Sequence, residues 1–195
     1  MACIYQECSI FPIPFYGESD QKLSFLIDLL SELLPQCKFI WLIRNAEDFV
    51  LSAVNRFWYS PQFLHNYPKE WPLVRKWSKS RINGAKTNNF SLEEWNAMSA
   101  IEKCSWYWQF CNEKIENQLT ALPSKRWIQV KLETLEEATP DIIQFLGGRP
   151  YAISIQRQNI GKTTSSFQET PDFEKAIKKW CSKGMHKWYG TPLED

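Results

Sequence analysis

The run Lys38-Phe-Ile-Trp-Leu-Ile-Arg44-Asn-Ala-Glu-Asp-Phe-Val-Leu-Ser52 decides the fold class. Phe39 to Ile43 is uninterruptedly apolar, as in a strand covered on both faces of a parallel sheet, and the next residues turn polar. A strand is therefore predicted over 38–43 and a helix over 46–59. Asn45 is the N-cap of that helix and Asp48 its third residue, while Phe49, Val50, Ala53, Val54 and Phe57 recur at helical spacing. Arg44 then stands at the carboxyl end of a sheet strand, where open α/β sheets bind ligands, beside helix N–H groups that favour an anion. Ser52, off the apolar stripe, adds a hydroxyl donor. The same local pattern also fits Arg44 paired with Glu47 or Asp48 and Ser52 facing water.

Outward from this run, residues 1–19 read as extended or irregular, since Pro12 and Pro14 forbid a helix. Lys22 to Leu34 is predicted as a helix burying Leu23, Leu26, Ile27, Leu30 and Leu34, and stopped by Pro35. The stretch 60–90 is irregular, with Pro61, Pro68, Pro72 and Gly84. Ser91 to Leu122 reads as one long helix, opened by the box Ser91-Leu-Glu-Glu94 and carrying Leu92, Trp95, Met98, Ile101, Cys104, Trp108, Cys111, Ile115, Leu119 and Leu122 at steps of three or four. A second strand over Lys125 to Leu132 follows, then a short helix from Pro140 to Leu146 capped by Gly147. The tail holds a helix near Pro171 to Cys181, with the Trp188-Tyr-Gly segment packing back. This order argues for an α/β fold with parallel strands. Two strands make a sheet with open edges, so the architecture is expected to be N-terminally incomplete.

These residues resemble the sulfotransferases that use 3′-phosphoadenosine 5′-phosphosulfate (PAPS). Gly17-Glu18, the leucine-rich stretch from Leu26 and the strand ending at Arg44 are similar to that family's run into its 3′-phosphate site, where an arginine and a serine eight residues later bind the donor. Arg44 and Ser52 match the spacing. Trp127-Ile-Gln-Val-Lys-Leu-Glu133-Thr-Leu135 and Ile142-Ile-Gln-Phe-Leu-Gly147 resemble a later strand and helix, and Asn159-Ile-Gly161-Lys162 the glycine-basic loop over the nucleotide. The resemblance implies a P-loop-NTPase-like sulfotransferase fold, a parallel sheet flanked by helices. It implies donor binding by Arg44, Ser52, Gly161 and Lys162, PAPS as co-substrate, and a hydroxyl or amine acceptor on a small molecule or glycan. Glu18 is the carboxylate candidate for the catalytic base. The chain departs from the family in lacking a Pro-Lys-Ser-Gly-Thr-type loop ahead of Arg44, and in having Leu132 where many relatives carry tyrosine. Residues 1–195 are accordingly expected to form a single, partial domain with 60–90 as an insertion, truncated so that the activity of this chain is an open question. The alternative is a non-catalytic nucleotide- or protein-binding remnant of the fold.

A formal net charge of +1 on 195 residues gives no overall footprint for nucleic acid. From Arg56 to Lys86, the basic residues Arg56, Lys69, Arg75, Lys76, Lys79, Arg81 and Lys86 meet the single acid Glu70 and interleave with Trp58, Tyr59, Phe63, Tyr67, Trp71 and Trp77. That region reads either as a solvated insertion or as a lid for anionic or sugar-like acceptors. Cys3, Cys8, Cys37, Cys104, Cys111 and Cys181 have no zinc spacing, so no metal site is expected. Cys104 and Cys111 read as small core residues. Free thiols, no membrane-length apolar run and no signal segment lead to the expectation of a cytoplasmic chain. Gly161-Lys162-Thr163-Thr164 is not the end of a Walker A loop, because Gln156 stands where its first glycine belongs. His65 and His186 sit in the insertion and the tail, away from any strand end.

Overall fold

The computed structural model describes residues 16–60, 81–155 and 170–192. Over these the chain is mixed α/β. Strands β1 (Phe39–Ile43) and β2 (Trp127–Lys131) pair in parallel, with Phe39 opposite Trp127 and Ile43 opposite Lys131. The α-helices among the described residues are α1 (Ile27–Leu33), α2 (Ala46–Asn55), α3 (Leu92–Ala97), α4 (Ala100–Thr120), α5 (Thr139–Leu146) and α6 (Pro171–Gly184). Two compact units divide the chain, one from Met1–Arg44 and Cys111–Gly161, the other from Asn45–Phe110 and Lys162–Asp195.

The first unit holds the sheet. Trp41 and Ile43 are buried, but Ile40 and Leu42 are 40% and 46% exposed. The expectation of a strand covered on both faces is therefore corrected. Parallel partners share a face, and on the side of Ile40 and Leu42 the buried residue is Val130 of β2, so cover reaches β2 and leaves β1 open. Among the described residues β1 has a strand neighbour on one edge alone. The predicted leucine helix is also shorter and less buried. Asp20 caps a 3₁₀ turn over Gln21–Phe25 by accepting from Lys22 N–H, and α1 starts only at Ile27. Of its expected core face only Ile27 is buried, while Leu26 and Leu34 are exposed. Arg126 closes the C-terminal end: its Nε donates to the Cys37 carbonyl at 3.2 Å and its Nη2 to the Leu34 carbonyl at 3.3 Å. The second of these bonds satisfies the carbonyl of the C-cap residue of α1. Gln118, buried on α4, donates to the Ser24 carbonyl at 2.8 Å. Gly147 ends α5 at φ 95°, the left-handed cap expected there.

The second unit is aromatic. Val50, Leu51, Ala53, Cys104 and Phe173 form its buried cluster, with Phe49, Trp58 and Tyr59 packed against it. Helix α2 stops at Asn55, not at 59, because Phe57 and Tyr59 adopt φ of 57° and 59° and cannot continue a right-handed helix. That turn sets Trp58 edge-on to Phe49 and lets the Tyr59 hydroxyl donate to the Ile82 carbonyl at 2.6 Å. The long helix predicted from Ser91 is two helices. Ser91 and Glu94 form a capping box on α3, and Ser99 and Glu102 form a second one, with Glu102 N–H donating to Ser99 Oγ at 3.1 Å and Ser99 N–H to Glu102 Oε2 at 3.0 Å. Ser99 thus restarts the helix and Met98, at ψ 138°, marks the break. The expected core residue Leu92 is consequently 66% exposed. Helix α6 packs on the first half of α4: Cys181 Sγ donates to the Ser105 carbonyl at 3.4 Å and Gly184 N–H to Gln109 Oε1 at 3.1 Å. It runs on through a π turn over Met185–Tyr189, which brings the buried Trp188 edge-on to Trp108, as the predicted back-packing requires.

Candidate functional site

Arg44 follows the last residue of β1 and precedes the N-cap of α2. It is half-buried. Its position is dictated locally: β1 ends where its apolar run ends, and the Asn45 side chain then accepts from Glu47 N–H at 2.9 Å to start the helix. Glu47 and Asp48, both exposed in the first turn, complement the positive end of α2. Arg44 closes the first unit, whereas Ser52 lies half-buried on α2 in the second, between the buried Leu51 and Ala53.

Glu18 is exposed and its Oε2 accepts a hydrogen bond from the Tyr16 hydroxyl. Gly17 and Glu18 precede the Gln21–Phe25 turn and do not cap it; Asp20 does. Gly161 and Lys162 lie outside the described residues, as do His65 and positions 61–80 of the predicted insertion. Its described remainder, 81–90, is a set of turns held by Asn83, whose Oδ1 accepts from Ala85 N–H at 2.9 Å and Lys86 N–H at 3.2 Å. There Arg81 stacks over Trp58, with 4.4 Å to the ring centroid.

Thiol chemistry is excluded at two buried positions. Burial pushes the Cys104 thiol up to about 12, although the charge of Arg81 pulls the other way. Burial raises Cys181 as well, against the hydrogen bond to Ser105. Neither is a thiolate nucleophile near neutral pH. His186, exposed, has Nδ1 2.8 Å from the Thr191 carbonyl oxygen. Among the described residues no cluster of His, Cys, Asp and Glu is arranged to hold a metal ion, and no helix is long and apolar enough to cross a membrane.

One charged feature has no counterpart in the sequence reading, which gave the tail helix no role. Lys175, Lys178, Lys179, Lys183 and Lys187 recur at steps of one to four along α6 and its π turn, all exposed. The spacing was visible in the sequence; a net charge near zero for the whole chain conceals it.

No family model, curated protein or solved structure matches the chain.

Proposed function

We propose that this chain binds an adenosine 3′,5′-bisphosphate moiety and belongs to the PAPS-dependent sulfotransferase class, transferring a sulfuryl group to a hydroxyl or amine acceptor. The observation that carries this reading is the position of Arg44, directly after a parallel strand and directly before a side-chain-capped helix. The resemblance of the run from Gly17 to Ser52 supplies the chemistry. In this reading Arg44 and Ser52 hold the 3′-phosphate of the donor, and Gly161 and Lys162 lie over the nucleotide. The acceptor oxygen attacks sulfur, the bond from sulfur to the 5′-phosphate oxygen breaks, and Glu18 takes the acceptor proton. Sulfuryl transfer asks mostly for positioning and charge stabilisation, which an arginine and a helix N-terminus provide.

The test compares adenosine 3′,5′-bisphosphate with adenosine 5′-monophosphate by calorimetry. The reading requires the bisphosphate to bind at least about tenfold tighter, the effect of one charge-assisted contact. Equal affinities, or no binding of either, overturn it. Consumption of PAPS in the presence of phenolic and sugar acceptors then separates an enzyme from a module that only binds the nucleotide.

A further inference from the structure

We infer that Asn83-Gly84 is a self-modification site, at which the Asn83 carboxamide passes through a cyclic imide to aspartate or isoaspartate and releases ammonia. It is the one Asn-Gly pair in the chain, and asparagine is among the thermally labile residue types. The inference does not depend on the transferase reading.

The hydrogen bonds of the turn point to this reaction. Asn83 Oδ1 accepts from Ala85 N–H at 2.9 Å and from Lys86 N–H at 3.2 Å. Two backbone donors on one carbonyl oxygen polarise the carboxamide and stabilise the negative charge of a tetrahedral intermediate. Among the described residues, Asn83 Nδ2 donates to no acceptor, so the leaving nitrogen is unrestrained. The attacking nitrogen is unrestrained too. Every residue from Ala85 to Phe90 donates through its backbone N–H, whereas among the described residues the Gly84 N–H finds no acceptor. Gly84 is buried, where an unpaired backbone N–H is rare and costly. The ring closed by the bond to Ala85 contains both Asn83 Cγ and the Gly84 nitrogen, which limits how far the two reacting atoms separate.

The Gly84 nitrogen attacks Asn83 Cγ and forms the new N–C bond. The Cγ–Nδ2 bond breaks, and the Gly84 amide proton leaves with Nδ2 as ammonia. Water then opens the imide. Cleavage at Cγ gives aspartate with the main chain intact; cleavage at the Asn83 main-chain carbonyl gives isoaspartate, which routes the chain through one extra carbon. Gly84 has no space to absorb that carbon, since a Cβ on it would stand 2.5 Å from Phe90 Cδ2 and 2.7 Å from Trp95 Cε3. Just upstream, the Ile82 carbonyl accepts from the Tyr59 hydroxyl at 2.6 Å. Isoaspartate at position 83 therefore opens the turn or displaces these rings, whereas aspartate keeps the acceptor oxygen on which the turn closes.

Peptide mapping of the 195-residue chain after incubation in neutral buffer tests this, with trypsin cutting after Arg81 and Lys86. The peptide of residues 82–86 should gain the mass of an amide-to-acid exchange before any other asparagine peptide does. Near-UV circular dichroism should fall as isoaspartate accumulates. Asn83→Ser keeps an oxygen acceptor for the turn and lacks the carboxamide, so its spectrum should hold over the same interval; if that variant does not fold, the wild-type map decides. A turn that misplaced the reacting atoms would cost about a hundredfold in rate. Conversion in the native chain slower by about a hundredfold or more than in the same chain unfolded in urea therefore overturns the proposal. Earlier conversion of another asparagine overturns it as well, and a spectrum unchanged at full isoaspartate conversion overturns the opening of the turn.

Discussion

The indole Nε1 of Trp41, in the middle of β1, donates to Asn112 Oδ1 of α4 at 3.1 Å, with both side chains buried. This bond fixes the face of the strand that turns inward, and Arg44 follows three residues later. Replacing Asn112 with leucine keeps the volume and removes the acceptor. Urea unfolding should show a loss of about 1–3 kcal/mol, the cost of taking a partner from a buried donor. The double variant Trp41→Phe/Asn112→Leu should recover part of it, and strict additivity of the two losses would argue against the bond.

The two serine boxes make separate helices of α3 and α4. Ser99→Ala should lower stability by about 0.5–2 kcal/mol, as for other N-caps, with loss of helix signal in far-UV circular dichroism. If Ser99→Ala is neutral, the break at Met98 has another cause.

Acid should expose the same boxes. Backbone and hydroxyl hydrogen bonds from Ser91 hold the Glu94 carboxyl below its ordinary 4.5. Burial raises Glu102, but the bonds from Ser99 and the charge of Lys179 together outweigh it and leave that carboxyl lowered too. A carboxyl lowered by folding adds stability above its unfolded value and loses it as pH falls through the folded value. The urea midpoint should therefore drop below about pH 4.5, and Glu94→Gln/Glu102→Gln should flatten that drop. An identical acid limb in the variant contradicts this assignment.

Two glycines should fail for different reasons. At Gly147, φ 95° with open space around a Cβ, alanine costs only backbone conformation, about 1–2 kcal/mol. At Gly184 an added Cβ runs into the rings of Trp108 and Trp188 and the amide of Gln109, an overpacking worth about 1–3 kcal/mol. Near-UV circular dichroism should change for Gly184→Ala and stay unchanged for Gly147→Ala.

The sequence showed the elements better than their burial. The parallel strands, the Asn45 cap, the Gly147 cap and the inward positions of Cys104 and Cys111 follow from periodicity and capping chemistry, which are local. Ser99-Ala-Ile-Glu102 carried the same signal as Ser91-Leu-Glu-Glu94, but a continuous apolar stripe masked it. Exposure of Ile40, Leu42, Leu26 and Leu34 was not legible, because an apolar run reads alike whether or not another layer covers it. The same holds for the candidate site: Arg44 and its helix start are local features, whereas what faces them is set by chain far away in sequence.

The central claim is that Arg44 holds a nucleotide phosphate. Isothermal titration of adenosine 3′,5′-bisphosphate into wild type and Arg44→Ala tests it most directly, with circular dichroism confirming the fold of the variant. The account predicts a loss of about 1.5–3 kcal/mol in binding free energy, the range for hydrogen bonds to charged groups. Undiminished affinity in a folded Arg44→Ala protein would contradict it.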